Sequence, residues 1–583
     1  MSETAHSPIS VRRLYGFVAS ILGPDSGYYY LALLYGVGIS LLSLATPISV
    51  QMLINNVANT GLTTPLVVLT LSLLGLLLLS GLLNALRIQL MDVFQRRFYA
   101  RMVAEISLRT VYALNPFFQD YRQGALFNRY FDIVIIQKNL PNLLVSGFTI
   151  VLQAVVGFIL VSLYHPLFLV FNVIVAVLIW AIWIIWGRRA VRSAVEVSHK
   201  KHETAAWLQN LGYSNGFYKS ERHIDEALKR TDEVTAQYID KHVKHFRHHF
   251  TQTVGFLMLY AAASAVLLGL GGWLVIGGEL TLGQLVAAEL VLSAAFYGVS
   301  YLGIYLAYFY EMCGAIDELS LFFDIEQEYV DGELEDFGGD SSLEFSACRG
   351  STHGMTSPLN FRLDSGARIM AVAETHSVQR EFTNLLKRHI VPRGGFITVG
   401  GVDILSVRAQ VLREQIVVLD RPSTIDMTIR EFLDISSDDA ASRSIELLRL
   451  VGLESALMKL DDGLDTPLAL TGWPLTVTET MQLKLAAAIL AKPRVLVLSQ
   501  LFDVMPDDYL RRSLDLLQEE ANCTVVYFTG RRREMGFGGY LYLGDEAQTL
   551  FPSFDALCAH TQGEACRAVA SADAAAEPVW SAS

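Results

Sequence analysis

No Asp, Glu, Lys or Arg occurs between Ser26 and Leu86. A run of that length without charge excludes an ordinary soluble core and is long enough for two membrane helices of about 20 residues each. Charge is scarce throughout, at 18% of residues against 52% hydrophobic, and mean hydropathy is +0.37. Net charge is −13 with no basic domain, which argues against nucleic acid as a partner. Cysteine is also sparse: Cys313, Cys348, Cys523, Cys558 and Cys566 form no CxxC pair, so neither a zinc site nor a disulfide framework is implied. The first residues, MSETAHSPISVRRLYGFVAS, lack the apolar core and cleavage site of a signal peptide.

Hydrophobic runs fill the first 325 residues. The uncharged stretch from Ser26 breaks at NTGLTTP, whose Gly61 and Pro65 mark a turn. A second uncharged stretch, Asn139 to Gly187, breaks at Tyr164-His165-Pro166, and two further apolar segments flank GELTLGQ. Six spans are predicted, at about 28–56, 64–91, 141–163, 166–187, 251–276 and 284–310. Arg12 and Arg13 precede the first, Arg96, Arg97 and Arg101 follow the second, and Arg188, Arg189 and Arg192 follow the fourth; the short joints carry only Glu279. The positive-inside rule then sets both termini in the cytoplasm, with the long segments between spans two and three and between four and five as helical cytoplasmic extensions.

Local phrases add a resemblance. TPISVQMLINNV, NPFFQDYRQGALFNRYFDIVIIQKNL and GGWLVIGGELTLGQLVAAELVL, in this order, resemble one half of an ABC exporter of the six-helix type. Residues from about 341 alternate strand-like and helix-like segments, as an α/β domain should. LNFRLDSGARIMAV, GGFITVGGVDILSVRAQVLREQIVVLDR, GLDTPLALTGWPLTVTETMQLKLAAAILAKPRVLVLSQLFD and TVVYFTGR are similar to successive parts of that family's nucleotide-binding domain. The resemblance implies an N-terminal cytoplasmic elbow (1–27), a helical transmembrane domain (28–325), a linker (326–340), an α/β P-loop NTPase-like domain (341–560) and a disordered tail (561–583). It also implies coupling helices near Asn115–Gln119 and Leu208–Asn215.

What the family needs for ATP chemistry is absent from these positions. A phosphate loop relies on glycines, which adopt positive backbone angles and let N–H groups converge on phosphate, and on a lysine that reaches the terminal phosphates. In register with that loop stand Ala373, His376, Val378, Gln379, Arg380 and Glu381. Glu374 and Glu381 are expected where phosphate would rest, each repelling it by about 3 kcal/mol at ~5 Å and an effective dielectric near 20. Ser499 and Gln500 replace the magnesium-linked aspartate and catalytic glutamate, and neither is a carboxylate. The signature motif is reduced to Leu475, Thr476, Val477, Thr478 and Glu479. The lid glutamine falls on Asp420, the switch histidine on Gly530, and the last acidic position on Pro506, with Asp507 one residue late. The resemblance therefore implies a pseudo-ATPase that binds neither ATP nor magnesium.

Smaller features complete the reading. His242, His245 and His249 share a helix face near span five, with His248 beside them; the spacing suits a metal or, more simply, a solvated membrane-proximal face. Glu289 lies within span six, a transport-path candidate if not satisfied by water at the external interface. Arg87 is expected to snorkel to headgroups, and Tyr28, Tyr29 and Tyr30 to form an interfacial belt. The reading is a multi-pass half-transporter of the cytoplasmic (inner) membrane and a non-hydrolysing part of an export system. It would contact membrane lipid and pair as a homodimer or with another ABC half-transporter, a membrane-fusion adaptor being a further candidate partner. Its rivals are a structural or regulatory scaffold without transport, and a passive or ion-coupled permease using Glu289.

Overall fold

The computed structural model describes residues 16, 19–57, 63–114, 125–328, 332, 334, 337–350, 357–437, 439–531 and 535–561. The chain divides into two compact units between Glu328 and Tyr329.

The first unit holds six helical stretches long and apolar enough to cross a membrane: Ala19–Asn55, Thr63–Val111, Leu126–Ser162, Pro166–Tyr213, Glu221–Ile276 and Leu282–Phe323. They are called spans one to six below. Hydrocarbon offers no hydrogen bonds, so a spanning backbone must satisfy itself, and helix is the form that does so within one segment. Spans two, four and five continue as helix well beyond their apolar stretches, in agreement with the extensions read from sequence. The expected coupling segment at 115–119 lies outside the described residues. The one at 208–215 covers the end of span four and the turn after it.

Helix starts carry recognisable caps. His165 accepts from the Leu167 N–H at 3.2 Å ahead of Pro166, and Thr281 and Gln284 form a reciprocal capping box before span six. Span one breaks at Ser43 and Leu44, between Ser26–Leu42 and Ala45–Met52. Span three contains Pro141, which has no N–H to donate, and directly after it Leu143–Gly147 forms a π-turn. Spans three and six meet along small residues: a Cβ built on Gly157 would lie 2.6 Å from Val291 Cγ1, and one on Gly298 2.5 Å from Ile150 Cγ2. Such notches let membrane helices approach closely.

Beyond the apolar stretches, charges knit the unit together. Glu318, fully buried at the end of span six, accepts from Arg129 Nε at 2.5 Å, while His199 lies 2.9 Å from Asp317 and 3.0 Å from Glu318. One helical turn away, buried Asp132 meets Lys201 at 2.8 Å and His202 at 2.5 Å. Asp25, 1% exposed, pairs with Arg101 at 2.8 Å and Arg97 at 3.3 Å, fixing the start of span one against span two.

The second unit is α/β. Its six-stranded sheet runs β12 (Gln548–Phe551), β11 (Gly539–Leu543), β3 (Arg368–Ala373), β10 (Thr524–Phe528), β9 (Val495–Leu498) and β6 (Ile416–Leu419). All neighbours are parallel except the β11–β12 edge. β9 and β10 are buried on both faces, which is why they read as unbroken apolar runs. A four-stranded antiparallel sheet follows the order β2 (Leu359–Leu363), β1 (Leu343–Arg349), β4 (Gly394–Val399) and β5 (Val402–Asp403), and β7 (Met427–Thr428) pairs with β8 (Pro467–Leu468). Three helices matter for the site: α1 (His376–Leu386), α2 (Val477–Ala491) and α3 (Asp507–Ala521).

Two substitutions test this architecture. Gly298→Val should destabilise the protein by about 1–3 kcal/mol through overpacking, whereas Gly75→Val, at a glycine with nothing within 4 Å, should be near neutral; thermal unfolding in detergent separates them. Glu318→Ala removes the carboxylate shared by Arg129 and His199 and should cost about 3–5 kcal/mol, read by the same melt.

Candidate functional site

Apart from the signature residues, which open α2, the positions that the sequence aligns with an ATP pocket lie at the C-terminal ends of β3, β6, β9 and β10. There the chain turns from strand to helix or loop, and exposed backbone groups must find partners. At β3 the turn is very short. Glu374 N–H still donates to Leu543 O at 2.9 Å, extending the pairing with β11, and α1 begins at His376. Only Glu374 and Thr375 separate the end of β3 from α1. Thr375 is the N-cap, accepting from Val378 N–H at 3.4 Å and meeting the Ser377 hydroxyl at 2.9 Å. No residue from 373 to 381 has a positive φ.

The helix start dictates where the expected loop residues go. Ala373 ends the strand and His376 opens the helix. Val378 is fully buried, and Gln379 is 6% exposed on the same inward side, above a core of Phe345, Phe382 and Phe528. Arg380 points outward and is exposed. The two glutamates expected to face phosphate do not converge on it. Glu374 turns aside to accept from Asp545 N–H at 2.9 Å, and the Glu381 carboxylate packs over Gly350, where an added Cβ would lie 1.9 Å from Oε1. The reason is helical phase: with α1 starting at His376, Glu381 falls on its second turn.

At β9, Ser499 is 7% exposed and caps the short helix Gln500–Val504, accepting from Leu501 N–H at 3.4 Å, while Gln500 is exposed. Asp503, not singled out from sequence, dominates this corner. Its Oδ1 accepts from Tyr527 Oη at 2.5 Å and Thr529 Oγ1 at 2.7 Å, and its Oδ2 from Gly530 N–H at 3.0 Å. Burial, reinforced by that carboxylate, pushes the Tyr527 hydroxyl well above its ordinary pKa. Arg531, also unforeseen, pairs with Asp507 and donates to the carbonyls of Asp503 and Met505, the latter at 2.8 Å. Gly530, the switch position, is thus held from both sides. Pro506 is the N-cap residue of α3 and Asp507 its first residue.

The signature position is a helix start. Leu475 is 8% exposed; Thr476 caps α2, accepting from Glu479 N–H at 3.3 Å, and the Glu479 carboxylate returns to Thr476 N–H at 2.8 Å. Val477 and Thr478 are its first helical residues. Asp420 is exposed beyond β6, 3.9 Å from Arg421, whose carbonyl accepts from Lys484 at 2.7 Å.

The membrane-unit candidates behave differently from expectation in three places. His245 bonds Ser193 at 3.0 Å, His249 bonds Gly303 O at 2.8 Å, and both rings stand edge-on to Tyr310, while His242 stacks on Tyr238. Two of the three therefore pack between spans rather than lining a solvated face, because the face they share is the one toward spans four and six. Among the described residues no group of three or more His, Cys, Asp or Glu is arranged to hold a metal. Glu289 accepts from Ser293 at 2.7 Å through Oε1, and its Oε2 is buried without a hydrogen-bond partner among the described residues. Arg87 does not snorkel: it is 3% exposed, turned inward to Thr149 and to Asn84 at 2.8 Å.

Residues 29–210 match the family model described as the ABC transporter transmembrane region. The alpha-hemolysin translocation ATP-binding protein HlyB of Escherichia coli O157:H7 is 22% identical over 470 residues, covering 79% of this chain and 66% of HlyB. The chain thus spans just under two thirds of that relative's length. An uncharacterized ABC transporter ATP-binding protein of Bacillus subtilis (strain 168), YfiC, is 24% identical over 440 residues, 70% of each chain. Among solved structures, a bacterial Atm1-family ABC exporter with ATP bound superposes with a TM-score of 0.76 at 17% identity, over 96% of this chain and 100% of that one. The chain therefore has an ABC-exporter fold: six apolar helices that include the ABC transporter transmembrane region, followed in sequence by an α/β sheet domain consistent with an ABC ATPase domain.

Proposed function

We propose that this chain is a non-hydrolysing member of a membrane export system, an ABC-exporter-like subunit whose α/β unit is a pseudo-ATPase. The observation that carries the reading is the two-residue junction between β3 and α1. A polyphosphate needs a loop that wraps it and a cation that reaches it; here helix occupies those positions, Gln379 replaces the cation, and Thr375 already caps the helix. The residues present do not fit a magnesium nucleotide. Glu479 supports the same reading, since a carboxylate bonded to the start of α2 stands where a phosphate would have to bind.

The Asp503 cluster supports a pocket that does not move. A switch segment must alternate between partners, whereas Gly530 has its N–H bonded to Asp503, whose carboxylate also holds Tyr527 and Thr529. As a subunit, the chain would pair with a second copy or with another half-transporter, with its termini in the cytoplasm and any ATP-derived work supplied by a partner. A membrane-fusion adaptor would fit such an assembly. A second reading, an ion-coupled permease, is favoured by one observation, the unpartnered buried oxygen of Glu289; loss of proton-dependent flux on Glu289→Gln would select it.

Titration of the purified protein with a fluorescent ATP analogue and magnesium should show no saturable binding at micromolar nucleotide. Gln379→Lys combined with Ser499→Asp and Gln500→Glu should not restore hydrolysis, because the loop itself is missing. Magnesium-dependent binding abolished by Gln379→Ala would overturn the reading. Asp503→Ala should leave the Tyr527 hydroxyl without its acceptor and lower stability by about 1–3 kcal/mol, measured as a fall in the denaturation midpoint.

A further inference from the structure

Arg87 is a buried cation with no anion. It is 3% exposed, so protein covers it rather than lipid or water. Its hydrogen bonds go to two neutral oxygens, Thr149 Oγ1 and Asn84 Oδ1, and its Nε is buried without a partner. Among the described residues no carboxylate is within ion-pair distance of it. Asp25 and Glu318, also buried in this unit, do have opposite partners, Arg101 and Arg129. Arg87 has none, and a guanidinium in a membrane-spanning segment is costly without a counter-charge.

The geometry points to an anion. With Nη1 and Nη2 each giving one bond to a neutral group, the edge made by Nε and Nη2 keeps donors in the planar fork that fits a carboxylate or phosphate. The cover over the guanidinium is thin: Gly36 of span one has no side chain there, and an added Cβ would lie 3.5 Å from Nη1.

We propose that Arg87, with Asn84 and Thr149 aiming its fork, is a binding site for a phosphate or carboxylate group, delivered by an anionic lipid headgroup or by a dissolved anion. This inference is independent of whether the α/β unit binds ATP. It also assigns a role to Thr149, whose hydroxyl donates onward to Val145 O at 2.7 Å in the π-turn, linking the site to span three.

The test uses the full chain in lipid nanodiscs and follows the thermal midpoint. Wild type should be stabilised by phosphatidylglycerol over phosphatidylcholine alone, or by inorganic phosphate added to phosphatidylcholine discs. The first response identifies a headgroup and the second a dissolved anion. Arg87→Gln should need at least about tenfold more of the same anion, the fold-change expected for losing a charge-assisted hydrogen-bond pair, while Arg87→Lys keeps most of the response. An unchanged response in Arg87→Gln, or no response of wild type to either anion, overturns the proposal. If Arg87→Gln does not fold, Gly36→Leu replaces it: the cation stays but its cover is filled, and a wild-type response there equally overturns the site.

Discussion

A helix leaves its first N–H groups without partners, and something must accept from them. Most of this structure can be read as answers to that demand. In the membrane unit His165 and Thr281 answer it at the turns between spans. In the α/β unit Thr375, Thr428, Thr476 and Ser499 answer it with their own oxygens. Three of those caps stand where the family resemblance sets a phosphate or magnesium contact. A helix start that its own side chain satisfies has little left to offer an anion, and adding Glu479 turns the sign of the field against one.

The fold was highly legible. Uncharged runs longer than any soluble helix needs marked six spans, and VLVL and TVVYF, assigned as strands through the family resemblance, lie as parallel neighbours buried on both faces. The candidate pocket positions lie at strand ends and helix starts, junctions that the change of pattern marks in the sequence itself. Less legible was direction. Sequence spacing set Glu374 and Glu381 together, but the early start of α1 rotates them apart. Thr476-x-x-Glu479 is a capping box already legible in the sequence. Asp503 and Arg531 belong to no pattern, and their partners, 24 to 28 residues away in sequence, come together only on folding.

The membrane unit shows the same limit for charge. Arg87 invites a snorkelling reading because long cationic side chains near helix ends usually reach headgroups. What reverses it is tertiary: Gly36 leaves room on span one, and Thr149 and Asn84 supply oxygens, so the side chain folds inward. The histidines near span five are turned inward likewise, toward Tyr310, because their shared face is the packed one.

The glycine seam between spans three and six has a consequence for motion. With Gly157 seated under Val291 and Gly298 under Ile150, neither helix can slide or roll on the other without collision, so the two are geared into a single lever.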